Sequence, residues 1–122
     1  MTAAQFNAFC ARLPAATHVV QWGGSQVWKV GDKVFAIGGW ESGEAAITFK
    51  VSWQSFEILK SMPGLRPAPY LASRGLSWIQ HHAKPGLSDA ALKDYLVNSH
   101  KLVAEGLSKK KRIAFGLMTS GR

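Results

Sequence analysis

An α+β fold, with helices packed on one face of an antiparallel sheet, is predicted by three features of this sequence. The stretch Gln26 to Val51 reads as a meander: QVWKVGDKVFAI, then GGWESGEA, then ITFKV. Segments on both sides of it repeat apolar residues at helical spacing. Gly and Pro clusters separate the two kinds of pattern, so the expected order is α-β-β-β-(β)-α-β-β-α, with one layer of helices against one layer of sheet.

Thr2 to Leu13 reads as the first helix. Thr2 is a suitable N-cap, Phe6, Phe9, Cys10 and Leu13 recur at helical intervals, and Pro14 ends the segment. His18 to Trp22 is expected to be a short strand broken by Gly23-Gly24. Gly31-Asp32 between runs rich in Val, Phe and Trp is a hairpin signal. A two-residue turn there pairs Val30 with Lys33 and Trp28 with Phe35. It places Trp28, Val30, Phe35 and Ile37 on one face, and Val27, Lys29, Val34 and Ala36 on the other. Ile47, Phe49 and Val51 alternate with Ala46, Thr48 and Lys50 in the next strand.

Ser52 to Ser61 is expected to be the second helix, capped by Ser52 and closed by Met62-Pro63. Pro63, Pro67 and Pro69 forbid a helix over residues 63–69 and predict an extended or turn path. Tyr70 to Ser73 and Leu76 to His81 read as a second hairpin with Arg74-Gly75 at its turn. Ser88 to Leu107 carries the clearest helical pattern. Ser88 caps it, Asp89 suits the positive end of the dipole, and Leu92, Tyr95, Leu96, Ser99, Leu102, Val103 and Leu107 form one stripe. Lys109 to Arg112 then fall where cations favour a helix C-terminus, and residues 113–122 are expected to fray. No internal repeat or linker divides the chain, so residues 1–122 are expected to form a single domain.

At 122 residues, with 47% hydrophobic and 18% charged residues, the chain has the composition of an ordinary folded domain. Its one cysteine, Cys10, excludes an internal disulfide. No apolar run is long enough to span a bilayer, and Arg12 and Pro14 interrupt the N-terminal apolar residues, so a soluble cytoplasmic monomer is expected. Charge is the unusual property. Fifteen Lys and Arg oppose seven Asp and Glu, a formal +8. A surface of that sign is suited to polyanions, with nucleic acid before anionic membrane.

The densest basic run is Lys109, Lys110, Lys111 and Arg112, which can contact successive phosphates or be a solvated helix end. Lys29, Lys33, Lys50, Arg66 and Arg74 are dispersed. Lys33 and Arg74 fall at the two expected hairpin turns, where they can straddle a duplex or serve as edge-strand lysines do, to block aggregation. Trp28, Trp53 and Tyr95 have core-facing periodicity, whereas Trp40, in the polar segment GGWESGE, is the better candidate for an exposed contact. That segment carries Glu41 and Glu44, precedes a strand and lacks a Lys-Ser/Thr ending, so it is not a phosphate-binding loop. His81 and His82 point to opposite faces of a strand and cannot chelate one ion, and His18 and His100 have no carboxylate partner in the sequence. No nucleophile comes with a base at recognisable spacing, and Cys10 lies on an apolar helical stripe. Neither a metal, a cofactor nor a catalytic residue is expected.

The segments VWKVGDKVFAI, ITFKV, LKSMPGLRPAPYL, LSWI and LKDYLVNSHKLVAEGLSKKKR, in this order and spacing, resemble the MmcQ/YjbR family of small bacterial proteins, from about Phe6 to Arg112. His100 departs from the resemblance, since a larger aromatic is expected after Ser99. The resemblance implies a bacterial-frataxin (CyaY-like) α+β architecture, no established catalytic residues, and DNA binding by a "double-wing" pair of hairpins. On this sequence the wings select Lys29, Lys33 and Arg74, with Lys109 to Arg112 as a further electrostatic contact. Frataxin-like proteins also suggest iron binding along an acidic first helix, but Thr2 to Leu13 has no Asp or Glu. The expectation is therefore a non-enzymatic module on double-stranded DNA that reads phosphates more than bases. The alternatives are a regulatory module with an acidic protein partner and a small-molecule-binding domain.

Overall fold

The β2–β3 hairpin, Ser25–Val30 and Lys33–Glu41, turns at Gly31-Asp32 and pairs Val30 with Lys33 as the sequence predicts. Gly31 has φ +61° there, and a Cβ on it would stand 3.0 Å from the Leu107 side chain, so both turn and packing require glycine. Two residues further on the pairing slips. Lys29 opposes Val34, but Trp28 opposes Ala36, leaving Phe35 as the extra residue of a β-bulge. The expected pairing of Trp28 with Phe35 is thus corrected. Past a bulge the alternation inverts, so Ala36 turns to the core and Ile37 to the other side. Phe35 and Ala36 are both fully buried.

The computed structural model describes residues 1–41, 44–69 and 71–119, and of Glu41 and Glu44 the backbone alone. A strand β1 (Ala16–Gln21) flanks the hairpin on one side. On the other follow β4 (Glu44–Lys50), β6 (Trp78–His81) and β5 (Leu65–Pro67), in the order β1-β2-β3-β4-β6-β5, with every pairing antiparallel. Strand β3 runs through Gly39 and Trp40 to Glu41, so most of GGWESGE is sheet; Ser42 and Gly43 lie outside the described residues.

Among the described residues four α-helices accompany the sheet: α1 (Ala3–Ala11), α2 (Trp53–Leu59), α3 (Asp89–Glu105) and α4 (Lys109–Ala114). Each begins at a hydroxyl cap, from Thr2, Ser52, Ser88 and Ser108. Thr2 completes a capping box with Gln5, each side chain accepting the other's backbone N–H. Phe6 and Cys10 of α1, Leu59 of α2, and Leu92, Leu96 and Val103 of α3 close on Trp28, Val30, Phe35, Ile47, Phe49, Val51 and Ile79 of the sheet side in one core. Ser99 and His100 are buried within it. The Ser99 hydroxyl donates to the Lys50 carbonyl, and His100 Nε2 lies 2.6 Å from the Pro14 carbonyl with its ring edge-on to Phe35.

Several local expectations change. Arg74 is not at a hairpin tip: Ala72–Arg74 form a 3-10 turn, and the strand pairing with β6 is Leu65–Pro67 instead. The Pro-rich segment supplies the edge strand, where a missing N–H is tolerated, and Tyr70 lies outside the described residues. Lys109 to Arg112 do not extend α3. Gly106 caps that helix and Ser108 starts a new one, so the cations occupy the first turn of α4. Leu117, beyond α4, packs against the core. Trp53, expected in the core, is 55% exposed at the start of α2, edge-on to Phe56. Trp40, expected exposed, packs on Phe6 with ring centroids 5.5 Å apart. Among the described residues no helix is long and apolar enough to cross a membrane.

Candidate nucleic-acid interface

Side chains opposite one another in paired strands share a side of the sheet. The row His18, Trp28, Ala36, Phe49 and Ile79 faces the helices, and the stacked His18 and Trp28 rings, 4.7 Å apart, belong to it. The next row lies on the helix-free side and crosses all six strands: Val19, Val27, Ile37, Thr48, Gln80 and Arg66. Arg66 donates from Nε and Nη2 to Gln80 Oε1, at 2.9 and 2.6 Å, and Gln80 Nε2 donates to Thr48 Oγ1 at 3.2 Å. This relay holds the guanidinium along the sheet. Toward the β2–β3 turn the same side carries Lys29 opposite Val34 and Lys50 opposite Trp78.

The connection from β5 to β6 folds back over part of this side. Ala68 N–H donates to the Trp78 carbonyl, and Ser77 exchanges bonds with Val51. Pro69, Leu71 and Arg74 thereby face Trp22 around a cavity of about 490 Å³, with Ile37 and Thr48 contributed by the sheet. A second cavity of about 720 Å³ adjoins it through Trp22 and is lined by Gly23, Gly24, Ser25, Gly39, Ala46, Arg66 and His82, among others. Trp22 is 66% exposed and sits in the left-handed region at φ +51°, continued by Gly23 and Gly24 at +75° and +106°. An L-residue other than Asn or Asp rarely takes that conformation, and here it sets the indole at the rim shared by both cavities. His82 is held below its ordinary pKa, first by desolvation and then by the charges of Arg66 and His81.

Glu41 and Glu44 pair with each other at the ends of β3 and β4, two residues beyond Gly39 and Ala46, while the acids whose side chains are described lie elsewhere. Glu57 pairs with Lys60 on α2 at 2.6 Å, Asp89 with the N-terminal amine at 3.4 Å, and Asp94 and Glu105 belong to α3. Asp32, at the β2–β3 turn, accepts from Lys111 Nζ at 2.7 Å. This ion pair draws α4 to the hairpin tip, beside Lys33. Asp32 is accordingly held below the ordinary carboxylate range, chiefly by its hydrogen bond to Lys111. Lys109 and Lys110 are exposed on α4, whereas Arg112 is half-buried and its Nε is enclosed without a partner among the described residues.

The nine cations singled out from the sequence therefore form two groups. Lys29, Lys50, Arg66 and Arg74 lie on or over the helix-free side of the sheet. Lys33, Lys109, Lys110, Lys111 and Arg112 gather at the β2–β3 turn and α4. The groups approach each other along the hairpin, where Lys29 and Lys33 flank the turn. Trp22, Ile37, Thr48 and His82 were not anticipated as site residues. For Trp22 the signal was present, a large aromatic immediately before Gly-Gly; for Ile37 it was hidden by the bulge.

Among the described residues, no three His, Cys, Asp or Glu side chains stand close enough to share a metal ion. Cys10 is buried under α1, and burial pushes its thiol up to about 12, so it remains protonated at neutral pH.

No curated protein matches the chain. Among solved structures, the Deinococcus radiodurans protein DR2400, a DUF419 domain, superposes with a TM-score of 0.83 at 21% identity, over 99% of this chain and 92% of that one. At that identity the likeness establishes the fold. The sequence model of the YjbR family matches residues 11–102, three quarters of the length, from the end of α1 through most of α3, and the chain belongs to that family.

Proposed function

We propose that this domain binds DNA, chiefly through backbone phosphates, and performs no chemical step on it. One observation supports the reading: Lys29, Lys50, Arg66 and Arg74 collect on the side of the sheet that the helices leave open, while the ion-paired acids among the described residues lie on helices or at the hairpin tip. Cations on a shared surface displace condensed counterions together, whereas the same number spread over a globule does not. The second basic group on α4 extends the field around the hairpin tip. Pairing the β2–β3 tip with a second tip at Arg74 has no support, because Arg74 stands in a 3-10 turn of the covering connection. The open sheet side replaces the wings as the contact surface.

The test is the salt dependence of binding to random-sequence DNA. Four to six phosphate contacts give a log-log slope of roughly −4 to −5 between ~50 and ~200 mM salt. Absence of binding at the lower concentration defeats the proposal.

A further inference from the structure

We infer that the Trp22 cavities receive an unpaired base, so that the preferred ligand is single-stranded rather than duplex nucleic acid; this deepens, and rests on, the proposal that the domain binds DNA. A flat cationic surface is enough for a duplex backbone. This surface is not flat. Next to its arginines it has a cavity of about 490 Å³ between Trp22 on one side and Pro69 and Leu71 on the other, with Ile37 beneath. Those walls are apolar and aromatic, and they suit a planar ring. Duplex DNA presents only sugar and phosphate at such close range, and its stacked bases cannot enter. An unstacked base can, and stacking on an indole needs no particular base.

The polar groups are placed for the rest of a nucleotide. Arg74 lines the same cavity as Trp22, and Arg66 lines the adjoining one of about 720 Å³. A strand threading both cavities passes the indole with a guanidinium on either side of it. Gly23, Gly24 and Gly39 line the second cavity, so that backbone and bases approach the sheet without meeting side chains. His82 lies beside Arg66 in that cavity. Thr48, whose Oγ1 accepts from Gln80 Nε2, adds a polar group to the wall of the first cavity. Charge complementarity therefore selects a polyanion, and cavity shape selects its single-stranded form. The exposed, left-handed Trp22 has no core role that would explain its position.

The experiment compares three fluorescent ligands on the intact chain by anisotropy at ~50 mM salt, a 20-mer oligothymidylate, a 20-bp random duplex and an abasic 20-mer of the same phosphate number, and adds a competition of the oligothymidylate with millimolar thymidine monophosphate. The expected result is that the oligothymidylate binds at least about tenfold tighter than the duplex and the abasic strand. Trp22→Ala then lowers affinity for the oligothymidylate by about 5- to 150-fold and leaves the duplex unchanged, while Trp22→Phe restores most of the loss. Equal affinity for the base-bearing and abasic strands, or an equal loss on both strand forms in Trp22→Ala, overturns the inference and leaves phosphate-based binding standing. Complete displacement by the mononucleotide also overturns it, in favour of a small-molecule site. Failure of all the oligomers to bind removes the broader DNA reading with it. Circular dichroism of both Trp22 variants, expected to match the parent because the residue is exposed, keeps a folding defect from being mistaken for a result.

Discussion

The two sides of this sheet differ in what their side chains do. On the helix-covered side, Phe6, Phe35, Phe49, Leu92 and Leu96 are fully buried and fill one core. On the other side, Val27, Ala68 and Trp78 are buried outside that core, beneath a thin covering of irregular chain, and cations and cavities surround them. The first side accounts for stability and contains little that a ligand can touch. The second contains the recognition chemistry at a small cost in packing. A substitution should therefore read out in one quantity or the other according to which way its side chain points.

The largest separation is expected from Phe49→Ala. Phe49 is fully buried, with its ring 5.7 Å from that of Tyr95 under α3. Truncating it removes apolar burial and leaves a cavity, costing about 3–5 kcal/mol of unfolding free energy in urea titration. DNA affinity of the fraction that stays folded should match the parent. A strong affinity loss in the folded variant would show that the two sides are coupled through β4, and the division between them would fail.

The converse case is Lys29→Gln combined with Lys50→Gln. Both residues project from the helix-free side near the β2–β3 turn, so stability should move by no more than ~0.5 kcal/mol. The salt slope for DNA should become shallower by about 1.8, corresponding to two lost phosphate contacts. An unchanged slope would move the contact surface away from this end of the sheet.

The same division explains what could be read from the sequence. The starts of α1, α2 and α3 were legible because each rests on a local device, a Thr or Ser hydroxyl before an apolar periodic run, whereas the same device at Ser108 is followed by cations and not by an apolar run. The Gly31-Asp32 turn was legible for the same reason. Arg74-Gly75 offered similar turn chemistry but lacked an alternating strand before it, and the pairing went instead to Leu65–Pro67, a tertiary choice with no local marker. The bulge at Phe35 was the costliest omission for function, since one extra residue moved Ile37 from the core side to the cavity. Four consecutive apolar residues, Val34, Phe35, Ala36 and Ile37, were the available hint that strict alternation would break. Charge was legible as a sum, but the sharing of a surface by Lys50 and Arg66 depends on β4 and β5 flanking β6, which no spacing in the chain encodes. Trp40 changed environment because β3 runs on past Ile37 to Glu41, whereas Trp53 occupies the first position of α2, as the Ser52 cap predicts, but on the face of the helix turned away from the core.

The smallest expected effect concerns the boundary between the two basic groups. The Asp32 carboxylate sits at the hairpin tip and neutralises Lys111 of α4 at 2.7 Å. Its folded-state pKa is depressed, so its contribution to stability is present above the unfolded value, ordinarily 3.8, and is lost as pH falls through the folded value. Acid titration of Asp32→Asn should therefore lack a small component seen in the parent below about pH 4. At neutral pH the same variant releases Lys111 without altering the sheet. If α4 takes part in holding DNA, the salt slope should steepen by up to about 0.9, one additional phosphate contact. If the slope does not change, the basic run on α4 lies outside the contact, and the open side of the sheet accounts for the interaction without it.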